Sequence, residues 1–457
     1  MTSPPPTKPR PPLPGGPFLV VGLARSGVAA ARLLAARGES VTGVDSGHPK
    51  EAAGLRALGV EAVLDADGLA LLAGVRTVVK SPGVPREAPV IAAALDRGVD
   101  VVGELELAWR ATPNRTIAVT GTNGKTTTVE LLGHLYESAG EPVAVAGNVG
   151  TPLSTLAAEG LDPAAVVVCE ASSFQLEDSV EFAPECAVFL NLAPDHLDRH
   201  RDLDSYLAAK LRIFANQGND DVAVFNADEP ALSGVDLGGC ARRVSFGIGP
   251  GPECEVALAE GTIFADGEPL LRADELGLFG EHNVANAMAA AAAALSMGLD
   301  REAVRDGLRT FAGVPHRLET VAERGGVRFV NDSKATNVAS AIVGLRAFGA
   351  GVHAILGGSD KGEDFTALID PIREHCAAVY LTGATAPRMA EELAPVVEAG
   401  VGLHRCADLE EAVERAAAAA SPGEVVLLSP ACASFDAFED FEARGDAFRR
   451  IVESAAI

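Results

Sequence analysis

The sequence has no excess of positive charge. Its 457 residues hold 37 Lys and Arg against 63 Asp and Glu, a formal net charge of −26. That balance excludes general nucleic-acid binding, which needs basic surface to displace counterions. Paired-cysteine spacing is also missing. Seven cysteines are scattered without a C-x-x-C, which excludes a disulfide framework or zinc site and leads us to expect reduced thiols and a cytoplasmic location. No run of about 20 apolar residues escapes interruption by polar residues or glycine, so no membrane-spanning helix is expected. Residues 1–17 are rich in proline, lack the apolar stretch of a signal peptide and read as a disordered tail. A last absence is local: in a full Walker A motif, G-x-x-x-x-G-K-[ST], the first glycine would fall at Val119.

What is present at that point is Thr120-Gly121-Thr122-Asn123-Gly124-Lys125-Thr126-Thr127, after the apolar run Ile117-Ala118-Val119. A strand that breaks into a glycine turn and then a helix aims backbone N–H groups and a helix N-terminus at one point, a site for nucleotide phosphates. Lys125 is placed to reach the β- and γ-phosphates, and the Thr126 hydroxyl sits where Mg²⁺ binds. The segment from Thr127 to Ala139 reads as the following helix, with Val129, Leu132, Leu135 and Tyr136 at helical spacing and Gly140 and Pro142 stopping it. The shorter spacing, led by Gly121, separates this loop from ordinary P-loop ATPases.

Length suggests roughly three domains, and 48% hydrophobic with 22% charged residues describes an ordinary globular protein. We expect an α/β chain of three domains, bounded at 18–112, 113–313 and 314–457: a Rossmann-like N-terminal domain, a central P-loop ATPase-like domain and a C-terminal Rossmann-like domain. The first opens with the strand Phe18–Val21, the turn Gly22-Leu23-Ala24-Arg25-Ser26-Gly27, a helix, and the strand Ser40–Val44 leading to Asp45 and Ser46. With Ala24 in place of a middle glycine, a nucleoside diphosphate fits this opening better than a dinucleotide. The strand Thr77–Lys80 runs into Ser81-Pro82-Gly83, either a ligand turn or a structural loop. The central domain continues with strands at Val143–Ala146, Ala165–Cys169 and Ala187–Leu190, alternating with helices. The last domain has strands at Arg328–Val330, His353–Leu356, Ala378–Leu381 and Glu424–Leu428.

Polar residues gather where these strands end. Glu170 stands where a second Mg²⁺ ligand belongs, or else forms an ion pair or cap. His196 lies among Asp195 and Asp198, in a loop that is structural or functional. Lys210 reads by composition as a surface lysine. Asn283 and Asn286 either cap the alanine-rich helix or share a face that reads a base or phosphate. Arg317 is either a hinge ion pair or a γ-phosphate contact. The runs Asn331–Asn337, Gly357–Lys361 and Ser429–Asp436 each follow a strand, where ligands of open α/β sheets collect.

Together these motifs, in this order from residue 18 to about 455, resemble the Mur ligases, the ATP-dependent amide-forming enzymes of peptidoglycan precursor synthesis. The Thr120–Thr126 loop is shared with folylpolyglutamate synthases. Ser172–Leu176, Asn331–Asn337 and Ser429–Ser434 resemble the branch that adds D-glutamate, and the Asp-Asn-Pro-Arg run of the diaminopimelate-adding branch is not found. The resemblance implies ligation of D-glutamate to UDP-N-acetylmuramoyl-L-alanine through an acyl phosphate, using ATP and Mg²⁺, two ions being expected. It implies that Lys125, His196 and Lys210 are catalytic, and that Gly121 to Thr127, Asn286, Arg317 and Asp332 bind ATP. It implies metal contacts from Thr126, Glu170, His196 and Lys210, the last as a CO2-derived carbamate. Arg25, Ser26, Asp45, Ser46, Ser81, Gly83 and Asn148 would hold the UDP-substrate; Thr336, Lys361, Ser434, Phe435 and Phe441 would hold D-glutamate. A monomer acting on small molecules is expected. The alternatives are a related ligase with another amino acid, a folylpolyglutamate synthase, and an inactive nucleotide-binding homologue.

Overall fold

A computed structural model describes residues 4–248, 254–278, 280–360 and 362–454. The chain forms two compact units, one of residues 1–277 with 281–311 and one of residues 312–457 with 278–280.

The first unit contains two sheets. One has strands β1 (Phe18–Val21), β2 (Val41–Val44), β3 (Glu61–Val63), β4 (Thr77–Lys80) and β5 (Asp100–Gly103), all parallel, in the order β3-β2-β1-β4-β5. The order reverses between β1 and β4, so the ends of those two strands border the crevice where open sheets take ligands. The strands are short and almost wholly apolar because helices cover both faces.

The second sheet has β6 (Thr116–Thr120), β7 (Val143–Gly147), β8 (Val166–Glu170), β9 (Cys186–Phe189), β10 (Val222–Asn226), β11 (Arg242–Ile248), β12 (Val256–Ala259), β13 (Thr262–Ala265) and β14 (Glu268–Arg272). Its order is β14-β13-β12-β11-β10-β9-β6-β8-β7. Here the expected alternation of strand and helix is corrected, because β12 to β14 form an antiparallel meander. The cause is two two-residue turns, Glu260-Gly261 and Asp266-Gly267, whose residues all have positive φ. Such turns match the twist of adjacent strands and close hairpins. The helix Glu281–Ser296 is buried along Ala287–Ala294, where methyl side chains at every position but Met288 allow close packing against the sheet.

The second unit has β15 (Glu319–Arg324), β16 (Val327–Asn331), β17 (Val352–Gly357), β18 (Cys376–Thr382), β19 (Gly402–Arg405) and β20 (Val425–Leu428), in the order β15-β16-β20-β17-β18-β19. All neighbours are parallel except β15, joined to β16 by Gly325-Gly326.

The reading of the N-terminal stretch as a disordered tail is also corrected, for residues 4–17; residues 1–3 lie outside the described residues. Arg10 pairs with buried Glu185 through two bonds of 2.9 and 3.1 Å and lies 4.7 Å over the Trp109 ring. Lys8 meets Asp221 at 2.6 Å, and the Gly15 carbonyl accepts from Thr77 Oγ1 at 2.8 Å. Two cations in a proline-rich stretch thus satisfy carboxylates that burial would otherwise leave unpaired.

Candidate active site

The adjacent strands β9, β6, β8 and β7 end together, with Thr120 opposite Phe189, Val119 opposite Glu170 and Glu170 opposite Gly147. The loop Gly121–Gly124 leaves β6 at this edge and enters the helix Lys125–Ser138, two residues earlier than the spacing predicts. Gly124 is left-handed (φ +82°), and a Cβ there would stand 2.2 Å from Asn286 Oδ1. Only glycine allows the loop to close against that amide. Asn286 Nδ2 in turn donates to Asn283 Oδ1 at 3.1 Å, both residues being buried.

Asn191, just beyond β9, braces the loop. Its Oδ1 accepts from Thr122 N (3.1 Å) and Asn123 N (2.8 Å), while its Nδ2 donates to Asn123 O (3.1 Å). Lys125 Nζ donates to the carbonyls of Gly121 (3.0 Å) and Thr122 (2.8 Å), so the cation sits over the loop. Thr126 Oγ1 donates to Glu170 Oε2 at 2.8 Å, and Asn148 Nδ2 donates to the other oxygen, Oε1, at 3.0 Å. Thr127 is buried beside them. Glu170 thus accepts a hydrogen bond at each carboxylate oxygen.

Lys210 is not a surface residue as composition suggests. It is 1% exposed, donates to Gly121 O at 2.7 Å and lies 4.4 Å over the Tyr206 ring. Burial, reinforced by nearby Lys125, pushes its ammonium down to about 6. The surface reading fails because the segment Leu203–Leu211 turns this face inward onto the loop. Tyr206, unnoticed in the sequence, has its hydroxyl 3.4 Å from Thr122 Oγ1.

His196 is left-handed (φ +52°), about half exposed, and meets Asp195 at 3.4 Å. Its ring packs 4.9 Å from Phe174 and 6.4 Å from Tyr206. Tyr206 lies between it and the Gly121–Gly124 loop. His200, also missed, is buried against Ser173 Oγ at 2.9 Å, and desolvation lowers its pKa.

In the first sheet, Asp45 at the end of β2 accepts from Leu23 N (2.6 Å) and Gly47 N (2.8 Å), holding the turn after β1. Ser81 Oγ donates to Gly22 O at 2.9 Å across the β1–β4 switch point. Arg25, Ser46 and Gly83 are exposed around that crevice and Ser26 is half-buried.

In the second unit the ends of β16, β20 and β17 adjoin, Asn331 and Ile355 both lying opposite Leu428. Asp332 is buried, accepts from Ser429 Oγ at 2.7 Å and from Leu318 N at 3.3 Å, and burial pushes its carboxyl up to about 7. Arg317 lies near enough to draw that value partly back. Arg444, which no sequence signal marks, is buried and donates to Ser333 Oγ (2.9 Å), Ser333 O (2.9 Å) and Cys432 O (3.1 Å), tying the loops after β16 and β20 together. Burial lowers its guanidinium to about 10. Ser359 N bonds Ala433 O at 2.8 Å, bringing in the loop after β17. Ser434 is buried, Thr336 half-buried, Phe441 packs 6.3 Å from His316, and Phe435 is 72% exposed. Lys361 lies outside the described residues.

Among the described residues no three His, Cys, Asp or Glu side chains cluster as a metal cage. The Thr126 hydroxyl and Glu170 carboxylate form instead a pair of hard oxygen donors, which suits Mg²⁺, an ion that takes its other ligands from water and phosphate. All seven cysteines are free thiols. Among the described residues no helix is long and apolar enough to cross a membrane.

Comparison with known proteins places the chain in a family by its three domains. Residues 17–103 match the Mur ligase MurD-like N-terminal domain, 119–294 the Mur ligase middle domain and 316–432 the Mur ligase glutamate ligase domain. The UDP-N-acetylmuramoylalanine--D-glutamate ligase of Pelotomaculum thermopropionicum is 43% identical over 95% of this chain and 97% of its own. The protein of that name from Anaeromyxobacter dehalogenans is 46% identical over 98% and 99%. Among solved structures, UDP-N-acetylmuramate-alanine ligase MurC of Thermotoga maritima shares the fold, with a TM-score of 0.58 at 21% identity over 96% of this chain and 99% of that one. E. coli FolC in complex with ADP gives 0.56 at 20% over 81% and 98%. Matched along nearly its whole length and in all three family domains, the chain belongs to the Mur ligase family.

Proposed function

We propose that the chain is a cytoplasmic, monomeric ligase that adds D-glutamate to UDP-N-acetylmuramoyl-L-alanine at the expense of ATP, in peptidoglycan precursor synthesis. The observation that carries this reading is the near full-length identity of 43–46% to relatives named for that reaction.

The chemistry follows from a poor electrophile. An oxygen of the alanine carboxylate attacks the γ-phosphorus, the bond to the β–γ bridging oxygen breaks, and ADP leaves. The resulting acyl phosphate has a good leaving group. The D-glutamate amine adds to its carbonyl carbon, and the tetrahedral intermediate expels phosphate as the nitrogen loses a proton. Two anions must meet in the first step, so Lys125 and the loop backbone from Gly121 to Thr127 offset their repulsion. Thr126 and Glu170 would hold Mg²⁺, which when bound neutralises phosphate charge.

Lys210 supports a further part of the reading. With its ammonium pushed down to about 6, the amine is neutral at neutral pH and able to add CO2, releasing a proton and becoming a carbamate. One N–H remains to donate to Gly121 O. The carbamate then offers oxygen donors where a bare lysine offers none. His196 is assigned beside it to metal and substrate. Asn286, Arg317 and Asp332 are assigned to the nucleotide by family resemblance. Arg25, Ser26, Asp45, Ser46, Ser81, Gly83 and Asn148 are assigned to the UDP-substrate, and their grouping around the β1–β4 switch point and Glu170 favours this. Thr336, Lys361, Ser434, Phe435 and Phe441 are assigned to D-glutamate, whose two carboxylates call for a cation and hydroxyl donors.

Phosphate release should require UDP-N-acetylmuramoyl-L-alanine, D-glutamate and ATP together. Equal release with L-glutamate or meso-diaminopimelate, or none with the full set, would overturn the assignment.

A further inference from the structure

Lys80 is completely buried at the end of β4, outside the chemistry just described. A buried ammonium is costly unless compensated, which directs attention to what it holds. Its Nζ donates to the Val84 carbonyl at 2.8 Å, closing the turn that carries Ser81 and Gly83. The same nitrogen lies 2.7 Å from Asp178 Oδ2 and 3.7 Å from Glu177 Oε1. Those carboxylates follow the short helix Ser173–Leu176, whose chain continues from Glu170.

A second cation meets the same acceptors from another strand end. Arg199, beyond β9 in the short helix Leu197–His200 that His196 precedes, donates to Val84 O at 3.0 Å and to Glu177 Oε1 at 2.9 Å. Its guanidinium lies 4.8 Å over the Phe174 ring, and that ring packs 4.9 Å from His196. Arg86 stands 3.9 Å from Asp178. One carbonyl, Val84 O, therefore receives a cation from its own strand and a cation from the second sheet, and Glu177 joins the two.

We propose that Lys80 and Arg199 are positioning residues that fix the Ser81–Val84 turn, and the UDP-substrate bound there, in register with Glu170 and the His196 loop. The inference rests on the reading above that places the UDP-substrate at Ser81 and Gly83. The pair acts through the turn and touches no reacting atom, so its signature is selective weakening of one substrate.

Steady-state kinetics of the full-length protein, with each substrate varied in turn, provide the test. Lys80→Met and Arg199→Gln should each raise KM for UDP-N-acetylmuramoyl-L-alanine by about tenfold, with KM for ATP moved by less than about twofold. The double variant should fall short of the product of the two effects, because both act on Val84 O. Arg199→Lys, which keeps a cationic donor, should recover most of the loss. A wild-type protein without turnover would overturn the functional reading itself. Wild-type turnover with unshifted KM values, or with both KM values raised alike, would overturn the positioning role alone. If Lys80→Met does not fold, the two Arg199 variants decide by the same criteria.

Discussion

The Lys210 side-chain nitrogen lies 2.7 Å from the carbonyl oxygen of Gly121, the first glycine of the loop between β6 and the helix Lys125–Ser138. A buried lysine is thus bonded to the loop while burial and Lys125 hold its ammonium down to about 6. Such a group is a nucleophile at neutral pH. Lys210→Ala should lower turnover by about 10- to 100-fold, by analogy with the loss of a group that supports a metal site. Added short carboxylates should restore part of that loss. Absence of rescue, with CO2-depleted buffer leaving the wild type at full rate, would remove the carbamate from the mechanism.

The same lysine makes stability depend on pH with a definite sign. Its folded value of about 6 lies below the ordinary 10.5, so between those limits the unfolded chain binds the extra proton. Stability therefore rises with pH across that window, with a limiting slope on the order of 1.4 kcal/mol per pH unit. Lys210→Met should flatten that part of the profile in urea unfolding at fixed ionic strength. An unchanged slope would mean that Lys210 stays charged in the folded protein.

Asp332 works in the opposite direction. Burial raises its carboxyl from 3.8 to about 7, so the folded state keeps a proton that the unfolded state has released. Stability is fully present below the lower value and declines as pH rises towards 7. Asp332→Asn should remove this decline while preserving the partner role toward Ser429 Oγ. Urea midpoints of wild type and variant should diverge as pH rises from acid to neutral. Parallel profiles would place the titration elsewhere.

Gly124 tests the loop itself. Ala at this position has both a left-handed φ of +82° and a Cβ 2.2 Å from Asn286 Oδ1 to contend with. Gly124→Ala should weaken ATP binding by roughly 5- to 150-fold, since strain on the order of 1–3 kcal/mol must be relieved by moving the loop. Combining it with Asn286→Ala removes the clash but not the backbone strain, so ATP affinity, measured by calorimetry, should remain impaired. Full affinity in the single variant would show that the loop does not need this conformation.

The strand–loop–helix turn at Gly121–Gly124 was legible because its signal is local: Gly121, Gly124, Lys125 and Thr126 lie within a few residues of one another. The three clustered strand ends of the second unit were legible for a related reason, since strand-end loops in parallel sheets gather at one edge. The buried state of Lys210 was not, because a lysine in a helix of mixed composition gives no sign of which face the sheet will cover. Arg444 and Tyr206 were hidden in the same way, their partners lying 111 and 84 residues away in sequence. The meander β12–β14 was a different kind of omission. Glu260-Gly261 and Asp266-Gly267, four residues apart between short apolar segments, are hairpin signals that an expectation of strand-helix alternation overrode.

Arg10 shows why proline content alone misread the N-terminal stretch. Its guanidinium makes two bonds to Glu185, and Glu185 also accepts from Thr116 N at 2.8 Å, at the first residue of β6. Arg10 Nε donates to Thr112 O at 2.9 Å as well, so the arginine fork closes over the entry to that strand. Removing the arginine leaves a buried carboxylate with one backbone donor, a loss on the order of 3–5 kcal/mol for a broken buried pair. Arg10→Ala should therefore lower the urea midpoint clearly. Arg10→Ala with Glu185→Gln should lower it less than Arg10→Ala alone, because the orphaned charge is gone. This ordering separates an ion-pair role from simple packing of residues 4–17, for which the second substitution would add to the damage. An Arg10→Ala variant as stable as the wild type would mean that the stretch does not hold Glu185 in solution.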